Sequence, residues 1–136
     1  MTPKSIKHRQ IDKFKYAIYQ KKATDFYQGA LDALQRENWN SVGLESIHCV
    51  ISTVDMLTVY SKGIRCASPD HYDSIEFLGQ VMSLPETKEQ VSRVRDILSK
   101  KNLVEYEDRN FTKKEAVDIL KKSERFLNWA RKLIKL

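Results

Sequence analysis

Residues 41–63, SVGLESIHCVISTVDMLTVYSKG, decide the fold. Val42, Val50, Ile51, Thr53, Val54, Thr58 and Val59 give the stretch a β-branched richness that by propensity alone favours a strand. Periodicity overrides propensity. No turn signal interrupts the chain between Gly43 and Gly63, and Leu44, Ile47, Val50, Ile51, Val54 and Leu57 return every three or four positions, the spacing of one helical face. Asn40 or Ser41 suits the start of such a helix, and Gly63 supplies the left-handed residue that ends it.

The flanking segments follow the same period. Upstream, Ile11, Phe14, Ile18, Ala23, Phe26, Tyr27, Ala30, Leu31 and Leu34 predict one long helix over residues 5–36, or two joined near Lys21. Downstream, Ser68 as cap and Pro69 at the first helical position predict a shorter helix reaching Met82. Pro85 then restarts the chain, with Glu86 and Glu89 in the early turns and Val91, Val94 and Leu98 as its stripe, fading toward Tyr106. Thr112 and Glu115 form a capping box, with Phe111 placed to staple onto Ala116. That last helix carries Leu120, Leu127, Ala130 and Ile134, and ends on Lys132 and Lys135, whose charges suit its C-terminal dipole. The expected architecture is all-α: a single domain over residues 1–136, an up-and-down bundle of four long helices plus a short one.

Composition agrees. Four glycines and three prolines in 136 residues leave too little turn punctuation for a many-stranded sandwich. No eighteen-residue apolar run and no secretory signal pattern is present, so the expected setting is cytoplasmic, without a membrane. Two cysteines, Cys49 and Cys66, are too few for a disulfide framework. The net charge of +6 is unevenly spread: the first 22 residues carry seven basic side chains against Asp12, the last 24 carry eight against three acids, and the centre is net −5. Any footprint for a polyanion therefore depends on where the terminal segments fold. The plainer alternative is that both are solvated faces of amphipathic helices.

Glycine-rich phosphate loops, paired CxxC motifs, HExxH and nucleophile elbows are all missing from the sequence. Cys66 and His71 lack a second closely spaced ligand pair, so no metal or cofactor is expected. The readable chemistry lies in the loop-to-helix segment from Arg65 to His71. A guanidinium binds phosphate oxygens in bidentate fashion, and first-turn amides with the helix dipole favour an anion there. The same dipole disfavours an imidazolium and holds His71 toward the neutral form that a general base needs. The competing reading pairs Arg65 with Asp70 or Asp73 at the surface and leaves His71 as an ordinary first-turn residue. On the helix of residues 41–63, His48 and Asp55 lie seven apart, hence on one face. Asp55 is suited to orient a cationic or imidazole partner, or to pair with Lys62 or Arg65 as an interior carboxylate usually must. His48 doubles as a core or interface histidine.

Residues 46–72 (SIHCVISTVDMLTVYSKGIRCASPDHY) and 100–117 (KKNLVEYEDRNFTKKEAV) carry a resemblance. A first helix with Ala23, Tyr27, Ala30 and Leu34 precedes a histidine-containing second helix and an Arg spaced before a His. A late Val104 to Glu107 segment then leads to a Thr112 to Ala116 helix start. In this order the pieces resemble the HEPN family of small helical bundles over about residues 23–134. The resemblance implies a metal-independent endoribonuclease whose cleft forms between two copies of a homodimer. Arg65 would stabilise charge on the scissile phosphate, and His71 would assist attack by the ribose 2′-hydroxyl. Asp55 is the best match for the family's polar residue on the second helix, and His48 is a weaker one. Ser68, Tyr72 and Tyr106 complete the candidates for support or substrate binding. RNA or a nucleotide is the implied ligand, and a nucleotidyltransferase antitoxin is a further partner of toxin members. Those members often carry a Tyr two residues after the His, where this chain has Asp73. Other members are non-catalytic nucleotide-binding or protein-interaction modules. A purely structural subunit is the remaining alternative, with Trp39 or Trp129 as exposed anchors.

Overall fold

The computed structural model describes residues 5–134, so the expectation for Lys135 lies outside the described residues. Five helices run through it: α1 (Tyr16–Gln35), α2 (Trp39–Lys62), α3 (His71–Val81), α4 (Thr87–Tyr106) and α5 (Lys113–Leu133). The class is an all-α helical bundle, with one addition. Strands β1 (His8–Gln10) and β2 (Ile64–Cys66) form a small antiparallel ribbon, with Arg9 directly opposite Arg65.

α2 is the hub, packed against the other four helices. Its Val42, Val50, Val54, Met56, Leu57 and Val59 are almost completely enclosed. This explains the β-branched composition: burial on several sides outweighs a few tenths of a kcal/mol of helix propensity per residue. Two buried hydroxyls are satisfied along the helix itself, Thr53 Oγ1 donating to the Cys49 carbonyl at 2.7 Å and Thr58 Oγ1 to that of Asp55 at 3.3 Å, whereas the buried Ser46 Oγ has no partner among the described residues. α2 is also the one helix among the described residues long and apolar enough to cross a membrane, and most of it is enclosed by the bundle. Tyr16 meets Tyr60 and Phe26 meets His48, so α1 runs antiparallel to α2. Likewise Tyr72 meets Ser99, and Gly79 lies against Val91, which sets α3 antiparallel to α4.

The helix ends differ from expectation in three places. Residues 5–15 do not extend α1. Ile6 is buried beside Cys66 and Phe77, β1 pairs with β2, and a 3-10 turn at Lys13–Lys15 delivers the chain to Tyr16. Ladder bonds and the burial of Ile6 outcompete an amphipathic turn that would have left Phe14 in water in any case. α2 begins at Trp39 rather than behind an Asn40 or Ser41 cap. Asn40 reaches across the bundle instead, accepting from Phe111 N–H at 2.9 Å and donating to Asn110 Oδ1 at 3.0 Å. The cap of α3 is Asp70, which accepts from the Tyr72 N–H at 2.9 Å, so Ser68 and Pro69 lie before the helix.

The cap of the last helix is as expected. The Thr112–Glu115 capping box is complete, and Arg109 grips Glu115 through both carboxylate oxygens at 2.7 and 2.8 Å. That grip and the box hold the Glu115 carboxyl down to about 2. Phe111 lies over Gly43, where a Cβ would come within 2.7 Å of its ring. Trp39 and Trp129 both pack against the core rather than standing free as anchors.

Gly63 is the hinge on which the ribbon depends. It ends α2 at φ +66, and its carbonyl accepts from Ile11 N–H at 2.8 Å. A Cβ there would stand 2.9 Å from the Ile11 carbonyl oxygen. Gly63→Ala is therefore expected to lower stability by about 1–2 kcal/mol for the left-handed conformation alone. Urea unfolding should show that loss, with amide exchange at residues 8–10 and 64–66 accelerating more than in α5. Unchanged exchange at the ribbon would contradict this role.

Candidate functional site

The site is built on one face of α2. Leu44, His48 and Ile51 form a stripe at helical spacing that the bundle leaves partly open, and Asp55 continues it into the interior at 4% exposure. Ten residues later, β2 brings Arg65 back over that end of the stripe. Its Nε donates to Asp55 Oδ2 at 3.1 Å, and its guanidinium lies over the Tyr19 ring of α1, 5.2 Å from the centroid. Lys22 approaches the same ring at 5.6 Å. A planar cation is thus held by an aromatic face and a carboxylate, with no hydrogen bond donated from its Nη edge among the described residues. That edge is the part of the group suited to bind phosphate.

Burial pushes the Asp55 carboxyl above the ordinary carboxylate value, while Arg65, Lys22 and Arg9 pull it back part of the way. The three cations come from β2, α1 and β1, so the ribbon draws the basic N-terminal segment toward the acidic centre of the chain.

His71 opens α3 as its first residue, half-buried, near enough to Lys101 of α4 and His48 of α2 to feel their charges. Its pKa is lowered, first by burial, then by Lys101 and His48, with Asp70 opposing. The lowering favours the neutral imidazole, in the same sense as the helix N-terminus. His48 itself stacks on Phe26, ring centroids 5.2 Å apart. Arg65 bonds to Asp55, and the charge of His48 acts on His71; His48 and Asp55 lie about 10 Å apart along one face of α2.

The supporting candidates separate. Ser68 Oγ donates to Asp73 Oδ2 at 2.7 Å and accepts from the Asp70 N–H at 3.2 Å, holding the loop against the first turn of α3. Tyr72 Oη pairs with Ser99 Oγ at 3.1 Å and accepts from Asn102 Nδ2 at 3.3 Å, which ties α3 to α4. Tyr106 ends α4 at 86% exposure, with no hydrogen bond or ring contact among the described residues. Of the two partners open to Asp55, Arg65 is the one observed; Asp70 and Asp73 are taken up in the loop instead. Among the described residues no three His, Cys, Asp or Glu side chains gather as a metal site.

Tyr19, Lys22, Arg9 and Lys101 belong to this neighbourhood and were not singled out by sequence. Tyr19 fits the apolar period of α1 and reads as core, which it also is. Arg9 is placed only by the ribbon. No protein-family model matches the chain, and no curated protein or solved structure shows significant similarity to it.

The Asp55–Arg65 pair should respond asymmetrically to deletion. Arg65→Met strands a buried carboxylate and is expected to destabilise by about 3–5 kcal/mol, whereas Asp55→Asn leaves a one-third exposed guanidinium to water and costs about 1 kcal/mol. Without Arg65 the Asp55 pKa rises further, so the folded chain holds a proton that the unfolded chain has released. The loss in Arg65→Met must then be fully present at neutral pH and shrink as pH falls through the raised value. Urea unfolding at pH 7 and pH 5 checks this; equal losses in the two variants, or a loss that grows on acidification, would count against it.

Proposed function

We propose that this chain is a HEPN-type endoribonuclease that cleaves RNA without a metal and works as a homodimer in the cytoplasm, with Arg65 and His71 as its catalytic residues. One observation carries the reading: a guanidinium anchored on Asp55 of α2 and, at the start of α3, a half-buried histidine whose pKa is lowered by burial. Phosphodiester cleavage by transesterification needs little else. His71 takes the proton from the ribose 2′-hydroxyl as that oxygen attacks the adjacent phosphorus. The bond from phosphorus to the 5′-oxygen breaks, that oxygen leaves with a proton from water, and a 2′,3′-cyclic phosphate remains. The Nη edge of Arg65 donates to the phosphoryl oxygens as their charge grows. Asp55 and Tyr19 are positioning residues, since they hold the guanidinium without facing the reacting atoms.

A base must be neutral to act, so the rate should rise with pH along a limb whose midpoint lies below 6.5. His71→Ala and Arg65→Ala are each expected to reduce cleavage of a fluorescent RNA by a factor of about 100 or more in chelator at low salt, His71 losing the general-base contribution. Equal RNA loss in wild type and His71→Ala would remove the assignment.

The Asp55 pair also favours a second reading, a nucleotide-binding module without cleavage, because a carboxylate beside the guanidinium blunts the charge available to a transition state. Nucleotide-dependent thermal stabilisation that Arg65→Ala abolishes, with RNA left intact, would select it. If the chain is instead a toxin of an operon pair, its neutralising nucleotidyltransferase must act elsewhere than on a Tyr two residues after His71, because that position is Asp73.

A further inference from the structure

We infer that the cleft between β1, the 3-10 turn and the end of α2 is a binding track for single-stranded RNA that leads to Arg65. The inference rests on the ribonuclease reading for its choice of RNA over DNA. The cleft, of about 770 Å³, is lined by Arg9, Lys13, Lys15 and Lys62 together with Ile18 and Tyr19. Asp12 is the one acidic side chain among the lining residues, and among the described residues none of the four cations forms a salt bridge, although Arg9 acts on the charge of Asp55. Converging, unpaired cations repel one another, and an anion is the natural relief. The ribbon sharpens the point, because antiparallel register sets Arg9 directly across from Arg65, an arrangement unfavourable on its own. Tyr19 joins the two sites: it lines the cleft and carries the Arg65 guanidinium on its ring. A polyanion lying in the cleft therefore reaches from Lys13 and Lys15 to Tyr19, whose ring carries the Arg65 guanidinium.

The occupant is single-stranded for a separate reason. Phe14 lies between Lys13 and Lys15 in sequence but outside the lining of the cleft, at 72% exposure, and Ile18, which does line it, is 49% exposed. A phenyl ring in water, flanked in the chain by two cleft lysines, offers a stacking platform to a base turned out of the cleft, and only an unpaired base presents its face. A duplex would meet the cations and leave Phe14 idle.

The test is fluorescence anisotropy of the full chain with a 5′-labelled, 2′-O-methylated uridine 12-mer, which cannot be cut by its own 2′-oxygen. A 12-base-pair RNA duplex and vesicles of phosphatidylcholine with phosphatidylserine are the other arms. Wild type should prefer the single strand, with log K falling against log salt at a slope of about −3 for four phosphate contacts. Lys13→Ala with Lys15→Ala should reduce that slope in magnitude by about 1.4. Phe14→Ala should weaken single-strand binding about tenfold and leave duplex binding unchanged. All three side chains are exposed, so the melting temperature is expected to hold. Duplex bound as tightly as single strand with no effect of Phe14→Ala would overturn the inference, as would variants that lose only vesicle binding. A strand bound in the cleft but never cleaved in its unmodified form leaves the track standing and removes the ribonuclease. Cleavage at the wild-type rate by the triple variant does the reverse.

Discussion

A carboxylate taken out of water on the central helix constrains much of the molecule around it. Asp55 is 4% exposed on a helix otherwise lined with Val, Met and Leu, and a charge so placed needs a partner. Arg65 is that partner, and reaching it requires the chain to turn sharply at the end of α2. The turn needs Gly63 in a left-handed conformation, and Gly63 in turn receives the Ile11 amide. The ribbon, the place of residues 5–15 and the proximity of Arg9 to the site all accompany this pair. Its stabilising effect is modest, since burying both ions offsets much of their attraction. What it provides is position: a guanidinium whose plane and edge are fixed before any ligand arrives, so that little ordering entropy is lost on binding.

The same logic distinguishes the two halves of the site. Arg65 is held by a charge, and His71 by its place at the start of a helix that Asp70 caps, Ser68 and Asp73 latch, and Tyr72 ties to α4. Burial and neighbouring positive charge hold His71 toward its neutral form. The one acid that acts on it, Asp70, opposes the lowering without reversing it. The electrostatic design therefore separates a permanent cation from an imidazole held toward neutrality.

Much of this was legible in the sequence, for reasons that can be named. The helix of α2 was readable despite its β-branched residues because a 3.6-residue period over a long stretch has no strand counterpart. The α5 capping box and the Gly63 cap were readable because each rests on local chemistry within four residues. Arg65, His71 and Asp55 stood out as polar groups at a loop-to-helix junction and on one helical face. The ribbon was not legible. His-Arg-Gln has no alternation of apolar and polar residues, and its pairing is fixed by a turn more than fifty residues away in sequence. Asn40 was misread for a related reason: a cap is a local signal, but its side chain finds a better use across the bundle at Phe111. Ser68 and Asp70 both suit a helix start, and the choice between them depends on the return path from β2, which only the tertiary fold sets.

The central claim is that Arg65 and His71 meet one phosphate. Side-chain NMR tests it most directly, by titrating a 2′-O-methylated dinucleotide into the labelled chain while following the Arg65 Nε–Hε pair and the His71 imidazole carbons. The account predicts that both move together along one saturable curve, and that Asp55→Asn broadens the Arg65 signal by releasing its Nε. Saturable binding that shifts neither residue, or shifts one without the other, would contradict it.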